Sequence, residues 1–193
     1  MFLDLDTHAV HLRDEGPPGP PPLLLLHSLG TDLRVWDPQA AALARTHRVI
    51  RPDLRGHGLS GNPGGDADMA ALARDMLALM DALGIGRFHV GGLSIGGSIA
   101  LELAAAAPAR VLSVLACDTA LEFRPGSMWQ DRIDAVRANG VAAVAEATLS
   151  RWVVDAARPD SRALHRMLLA TDPEGYIACA AALRDAEAAP LAG

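Results

Sequence analysis

Gly91-Gly92-Leu93-Ser94-Ile95-Gly96-Gly97 decides the reading of this chain. It lies between the apolar run Arg87-Phe88-His89-Val90 and the alanine-rich run Ser98 to Ala107. The order is strand, sharp turn, helix, with Gly92-x-Ser94-x-Gly96 at the bend, which is the pattern of a nucleophile elbow. A serine at such a bend takes strained backbone angles, so its hydroxyl stands clear of the sheet edge. Glycine is needed two residues to either side, because a Cβ there would meet the neighbouring strand and helix. The turn also aims the Ile95 N–H at the place where an oxyanion would form. A glycine-rich turn with an idle serine is the competing reading, and the placement between strand and helix argues against it.

Working outward, strands alternate with helices. Phe2 to Asp6 and Ala9 to Arg13 predict a short antiparallel hairpin, and Gly16 to Pro22, with five prolines, a stiff loop. Leu23 to Leu26 is a buried strand, Trp36 to Ala44 a helix, and His47 to Arg51 another strand. Met69, Leu72, Ala73, Met76, Met80 and Leu83 keep helical spacing up to the stop at Gly84. After the elbow and a helix ending near Pro108, Val111 to Cys117 forms the next buried strand. The alternation predicts an α/β class fold: a mostly parallel sheet with helices on both faces. From Leu121 the strand signal vanishes, and four helices are expected over Met128–Asn139, Val141–Trp152, Ser161–Ala170 and Pro173–Asp185. The expected organisation is a core over 1–120, a helical cap over 121–188 and the start of further core over 189–193.

Composition narrows the function classes. A chain of 193 residues supports one domain with a real core. Net charge −6 and the absence of a basic cluster argue against nucleic acid. The start, Met1-Phe2-Leu3-Asp4, is no signal peptide, and no apolar run reaches membrane-spanning length. Two cysteines, Cys117 and Cys179, suggest a reducing compartment, hence the cytoplasm. Lysine is absent, which excludes Walker-type phosphate loops, Schiff-base chemistry and Ser–Lys dyads.

These segments resemble the α/β-hydrolase superfamily and, within it, the 3-oxoadipate enol-lactonases. The likeness is carried by Leu24-Leu25-Leu26-His27-Ser28-Leu29-Gly30-Thr31-Asp32, Trp36-Asp37-Pro38-Gln39, Asp53-Leu54-Arg55-Gly56-His57-Gly58-Leu59-Ser60, the elbow itself, and Cys117-Asp118-Thr119-Ala120. More specific to the lactonase cap are Met128-Trp129-x-x-Arg132-Ile133, Arg151-Trp152 and Met167-Leu168-Leu169-Ala170-Thr171-x-Pro173-Glu174-Gly175-Tyr176. The resemblance implies an α/β-hydrolase fold with a triad in the order Ser, Asp or Glu, then His. It places the acid after the cap and the histidine near the C-terminus, whereas this chain ends at Ala189-Pro190-Leu191-Ala192-Gly193. The reading therefore expects a sheet without its last two strands, from a fragment or a truncated gene product.

Replacements for the missing pair are Asp118 and His165. Asp118 reads either as an orienting acid or as a loop-starting aspartate bonding local N–H groups. His165, the only histidine after Ser94, reads either as a base or as an ordinary helix-surface residue. His27 is expected to hold the oxyanion loop, His57 to pack a tight turn, and His89 to be a satisfied core residue. His8 and His11 are expected on opposite strand faces, which disfavours metal chelation. Trp36 reads as packing behind the oxyanion loop.

The implied reaction is lactone opening. Ser94 Oγ attacks, the N–H groups of Ile95 and Leu29 hold the oxyanion, and water releases the acyl group without cofactor or metal. The implied partner is a small carboxylated lactone or ester. Trp129 and Arg132, three apart on one helix face, are the expected substrate-binding pair: a guanidinium for the carboxylate and an indole as wall. Two alternatives stay open, a carboxylesterase-like hydrolase and a non-catalytic truncated remnant. An uncovered Val111–Cys117 edge further predicts self-association, aggregation or easy unfolding of the isolated chain.

Overall fold

The leucine run and the apolar segment that leads into the elbow pair side by side in the interior of one sheet. The computed structural model describes residues 1–19 and 21–187, so the expectation for 189–193 lies outside the described residues. The strands are β1 (Phe2–Asp4), β2 (Ala9–Glu15), β3 (Leu23–Leu26), β4 (Val49–Pro52), β5 (Phe88–Leu93) and β6 (Val111–Cys117), in the spatial order β1-β2-β4-β3-β5-β6. The β1–β2 and β2–β4 pairs are antiparallel, and the remaining pairs are parallel. The register sets Leu26 beside Gly92, and Gly92 beside Ala116. The carboxyl ends of β3, β5 and β6 therefore converge on the elbow, the end of an open α/β sheet where ligands bind.

Seven α-helices accompany the sheet among the described residues: α1 (Asp37–Leu43), α2 (Met69–Ala82), α3 (Ile95–Ala106), α4 (Gly126–Asn139), α5 (Ala142–Trp152), α6 (Pro159–Ala170) and α7 (Pro173–Arg184). Their limits follow local chemistry. Asp68 caps α2 by accepting from Ala71 N–H at 2.6 Å, and Asp172 caps α7 by accepting from Gly175 N–H at 2.9 Å, with Pro173 at the first helical position. The four helices beyond residue 121 form where the loss of strand pattern predicts them. None is long and apolar enough to cross a membrane, and the same holds for every helix of the described residues.

α7 sits deeper than a cap helix would. Gly175 through Leu183 are all buried, and Gly175 lies so close to Gly56, in the loop after β4, that a Cβ on either residue would strike the other's backbone. An alanine-rich helix can approach backbone this closely from several sides, and its sequence does not say which side is covered. β6 lies at the sheet edge with Leu115 57% exposed. His89 consequently differs from the expected core residue: it is half-buried, and its Nδ1 pairs with Ser113 Oγ on β6 at 2.8 Å.

The loop after β4 is fastened to α2 by a buried ion pair. Arg55 Nε and Nη2 donate to the two carboxylate oxygens of Asp75 at 2.7 and 2.8 Å, and both residues are buried. Removing one partner leaves the other charge uncompensated in the interior, a loss of about 3–5 kcal/mol. We expect Asp75→Ala to lower the unfolding free energy measured by urea titration by that amount, with a lower midpoint, while Arg55→Met/Asp75→Leu restores most of the stability. Equal midpoints for the single and double variants would show that the ion pair is not what holds this loop.

Candidate active site

Ser94 follows β5 and caps α3 with φ 55° and ψ −120°, one of two non-glycine residues with positive φ among those described. The cause is steric and local. A Cβ on Gly92 would overlap the Gly96 carbonyl, and one on Gly96 would lie 2.5 Å from the Leu26 carbonyl oxygen and 2.7 Å from that of His27. Four contacts hold the strained residue. Ser94 N–H donates to the Cys117 carbonyl at 2.9 Å, and its own carbonyl accepts from Gly97 N–H, Ser98 N–H and Thr119 Oγ1 at 2.8, 3.1 and 2.7 Å. Ser98 Oγ in turn shares its single hydrogen between Thr119 Oγ1 at 2.9 Å and the Ala120 carbonyl at 3.1 Å. The Ser98–Thr119 brace was not legible in advance, because two small polar residues 21 positions apart carry no local signal.

The loop from Ser28 to Thr31 faces the elbow. His27 accepts from Leu54 N–H at Nε2 (2.9 Å) and bonds the Ser28 carbonyl through Nδ1 (2.8 Å). His57 repeats the arrangement, accepting from Gly30 N–H at Nε2 (3.0 Å) and bonding the Arg55 carbonyl through Nδ1 (2.9 Å). His27 thus holds the loop as expected, and His57, expected only to pack its own turn, holds the same loop from the other side. Each ring uses one nitrogen as acceptor, so each must be neutral. Burial pushes the His27 pKa below the ordinary value, and burial together with the neighbouring His27 pushes His57 down to about 3. Asp53 fixes the next residues, accepting from Leu33 N–H at 2.8 Å and Leu59 N–H at 2.9 Å, with His11 Nδ1 2.8 Å away. Trp36 Nε1 donates to the Leu26 carbonyl behind the loop at 3.1 Å. Leu29 N–H makes no hydrogen bond to a described residue, and Ile95 N–H stands ahead of the first helical bond of α3.

A cavity of about 240 Å³ opens at Ser94, lined by Ser28, Thr31, Val35, Leu93, Asp118, Arg151, Trp152 and Leu164. No hydrogen bond from a described residue occupies the Ser94 hydroxyl or the Asp118 carboxylate. Asp118 is exposed, at φ 43°, and does not bond local N–H groups as the loop-starting reading expected. His165 is half-buried on α6, does not line the cavity, and meets Glu146 on α5 at 3.2 Å. Trp129 and Arg132 share a face of α4, with the guanidinium 5.3 Å from the indole centroid. Neither lines the Ser94 cavity. Arg132 donates to Thr148 Oγ1 and Tyr176 Oη, each at 2.6 Å, while Arg132 Nε and Trp129 Nε1 are buried without a partner among the described residues. Arg151 and Trp152 do line the cavity. Their place at the end of an amphipathic helix was readable, but which way that helix faces was not.

The α/β hydrolase fold family profile matches residues 21–151, and the chain belongs to that family. Among proteins of known kind, it is 35% identical over 155 residues to 3-oxoadipate enol-lactonase 1 of Acinetobacter baylyi, covering 80% of this chain and 58% of that one. The chain thus spans less than two thirds of the length of this curated relative. The crystal structure of the enol-lactonase from Burkholderia xenovorans LB400 superposes with a TM-score of 0.92 at 36% identity, covering 96% of this chain and 74% of the other. A thermophilic esterase from Thermogutta terrifontis is 30% identical with a TM-score of 0.87, covering 93% and 68%.

The two neutral histidines make the Ser28–Thr31 loop sensitive to acid. His57 titrates near 6.5 when unfolded and at about 3 when folded, so between those values the unfolded chain binds a proton that the folded chain refuses. Its contribution is complete above 6.5 and falls as pH drops toward about 3, and the displaced His27 acts in the same direction. The slope is up to about 1.4 kcal/mol per pH unit for each ring. His57→Gln keeps an acceptor for Gly30 N–H and removes the titration. We expect it to be less stable than wild type near neutrality yet to lose less stability on acidification, in urea titrations across that window. Parallel pH profiles for the two proteins would refute the arrangement.

Proposed function

We propose that this chain carries the nucleophile half of a serine hydrolase that opens a carboxylated lactone of the 3-oxoadipate enol-lactone type. The observation that carries the reading is the conjunction at one cavity of a strained Ser94 and a braced loop, with the Ser94 hydroxyl and the Leu29 N–H both without a partner among the described residues. Similarity to two enol-lactonases supports the substrate class.

The reaction is acyl transfer. Ser94 Oγ forms a bond to the ring carbonyl carbon while its proton passes to a base. The carbonyl oxygen gathers negative charge, held by the N–H groups of Ile95 and Leu29. Each such donor contributes about 3–4 kcal/mol to the transition state when placed in advance. Collapse of the tetrahedral intermediate breaks the ring C–O bond, and the enolate oxygen that leaves takes up a proton. Water then attacks the acyl-serine and releases the second carboxylate. The base in this family of reactions is a histidine at Ser94 Oγ. No described histidine occupies that position, and His165 is engaged by Glu146.

A second reading, hydrolysis of neutral carboxylic esters, is favoured by the likeness to the Thermogutta terrifontis esterase. The same cavity serves both, and the presence of a charged group on the preferred substrate separates them.

The 193-residue chain on its own is expected to hydrolyse the enol-lactone at near-background rates, matched by Ser94→Ala. In a longer protein that joins these residues to a downstream Asp and His, Ser94→Ala should lower kcat by roughly 10⁴–10⁶-fold. There the carboxylated lactone should be preferred over a neutral ester of similar size. Ser94-independent turnover overturns the nucleophile assignment, and a preference for neutral esters establishes the esterase reading instead.

A further inference from the structure

Arg151 stands at the carboxyl end of α5, is exposed, and lines the Ser94 cavity beside Trp152 and Leu164. It makes no hydrogen bond and no ion pair with a described residue. The contrast with Arg132 is chemical. The Arg132 guanidinium already donates to Thr148 and Tyr176 and lies over two aromatic rings, outside the Ser94 cavity. A guanidinium whose donors are uncommitted at a cavity wall is suited to grip a carboxylate through paired hydrogen bonds.

The cavity holds one opposite charge, Asp118, at the end of β6 on the elbow side. A carboxylate ligand is repelled there and drawn to the Arg151 side, where Trp152 and Leu164 supply apolar wall. A ligand so oriented turns its uncharged end toward Ser94. We propose that Arg151, rather than Arg132, is the anion-binding residue of the Ser94 cavity and selects carboxylate-bearing lactones or esters over neutral ones. This rests on the serine-hydrolase reading above for the identity of the ligand. The anchor itself rests on the uncommitted cation and the charge arrangement of the cavity.

The test is binding, which needs no turnover. The whole chain is titrated by calorimetry with γ-butyrolactone γ-carboxylate and, separately, with its methyl ester. Wild type should bind the carboxylate more tightly. Arg151→Met, which keeps the stem and removes the charge, should weaken the carboxylate roughly tenfold and leave the ester unchanged. Asp118→Asn should tighten the carboxylate severalfold, a gain that a damaged fold would not produce. Arg132→Met should leave the ratio between the two probes unaltered. Loss of the preference in Arg132→Met but not in Arg151→Met overturns the assignment, as does equal weakening of both probes by Arg151→Met. Equal binding of both probes to wild type overturns the anchor while leaving the lactone or ester cavity intact. Binding of neither probe overturns the substrate reading and the anchor together.

Discussion

The approach of Gly96 to the carboxyl end of β3 is the constraint on which the site depends. At 2.5 and 2.7 Å from two successive carbonyl oxygens, the position of a Cβ is taken by backbone. Only a hydrogen there lets α3 start against the sheet, and only then can the turn close so tightly that Gly92 meets the Gly96 carbonyl on the other side. Ser94 lies between these two contacts and has no room for ordinary angles. Its strain, of order 1–3 kcal/mol for such a conformation, is sustained by bonds to its backbone from β6, α3 and Thr119. The backbone of this residue is over-determined, and the side chain is consequently left uncommitted. That division is what a nucleophile needs.

The second support is electrostatic and distant in sequence. Two buried imidazoles, 5.3 Å apart, each receive a backbone N–H across 27 residues, one from Leu54 and one from Gly30. A cation at either ring would meet a donor where it now meets its partner, so burial and function select the same neutral state. Asp53 completes the frame from below, with one oxygen on Leu33 N–H and the other on Leu59 N–H. The loop that carries Leu29 is thereby tied to the loop after β4, which Arg55 and Asp75 tie to α2. Rigidity at Leu29 N–H, where reaction would place charge, costs no reorganisation at that moment.

How much of this was readable depends on the range over which each constraint acts. The elbow was legible because its glycines, serine and flanking periodicities act within a few residues, and β3 and β6 were legible because four consecutive leucines or an apolar run with β-branched residues admit few other states. The role of His27 followed from its place at a strand end. His57 was only partly legible, since its partner Gly30 lies in another loop. Trp129 and Arg132 show the limit most clearly. Spacing by three correctly gives a shared helix face, and the 5.3 Å approach of cation to ring follows from it. Spacing does not say toward which cavity that face turns. The packing of α4 against α5 and α7 decides this, through Thr148 and the Tyr176 hydroxyl that engage Arg132.

The sequence separated α7 from its neighbours but did not show how deeply it sits. Alanine and cysteine over 178–182 offer little amphipathic contrast, yet every one of these residues is buried, because small side chains let the helix lie against several elements at once. Burial pushes the Cys179 thiol up to about 12, so it stays protonated and acts as packing, its Sγ resting 3.9 Å from the Arg55 carbonyl. With Tyr176 fixed at one end of this helix and Gly175 against Gly56, α7 links the helices beyond residue 121 to the loop that carries His57. A shift of α7 would therefore move Arg132 and the His57 turn together. The cavity wall formed by Arg151, Trp152 and Leu164 comes from α5 and α6, and Thr148 on α5 joins the same tether through Arg132. The loop that carries Leu29 is held by the core through His27 and His57, and the Arg151–Trp152 wall is coupled to that core through Arg132 and α7.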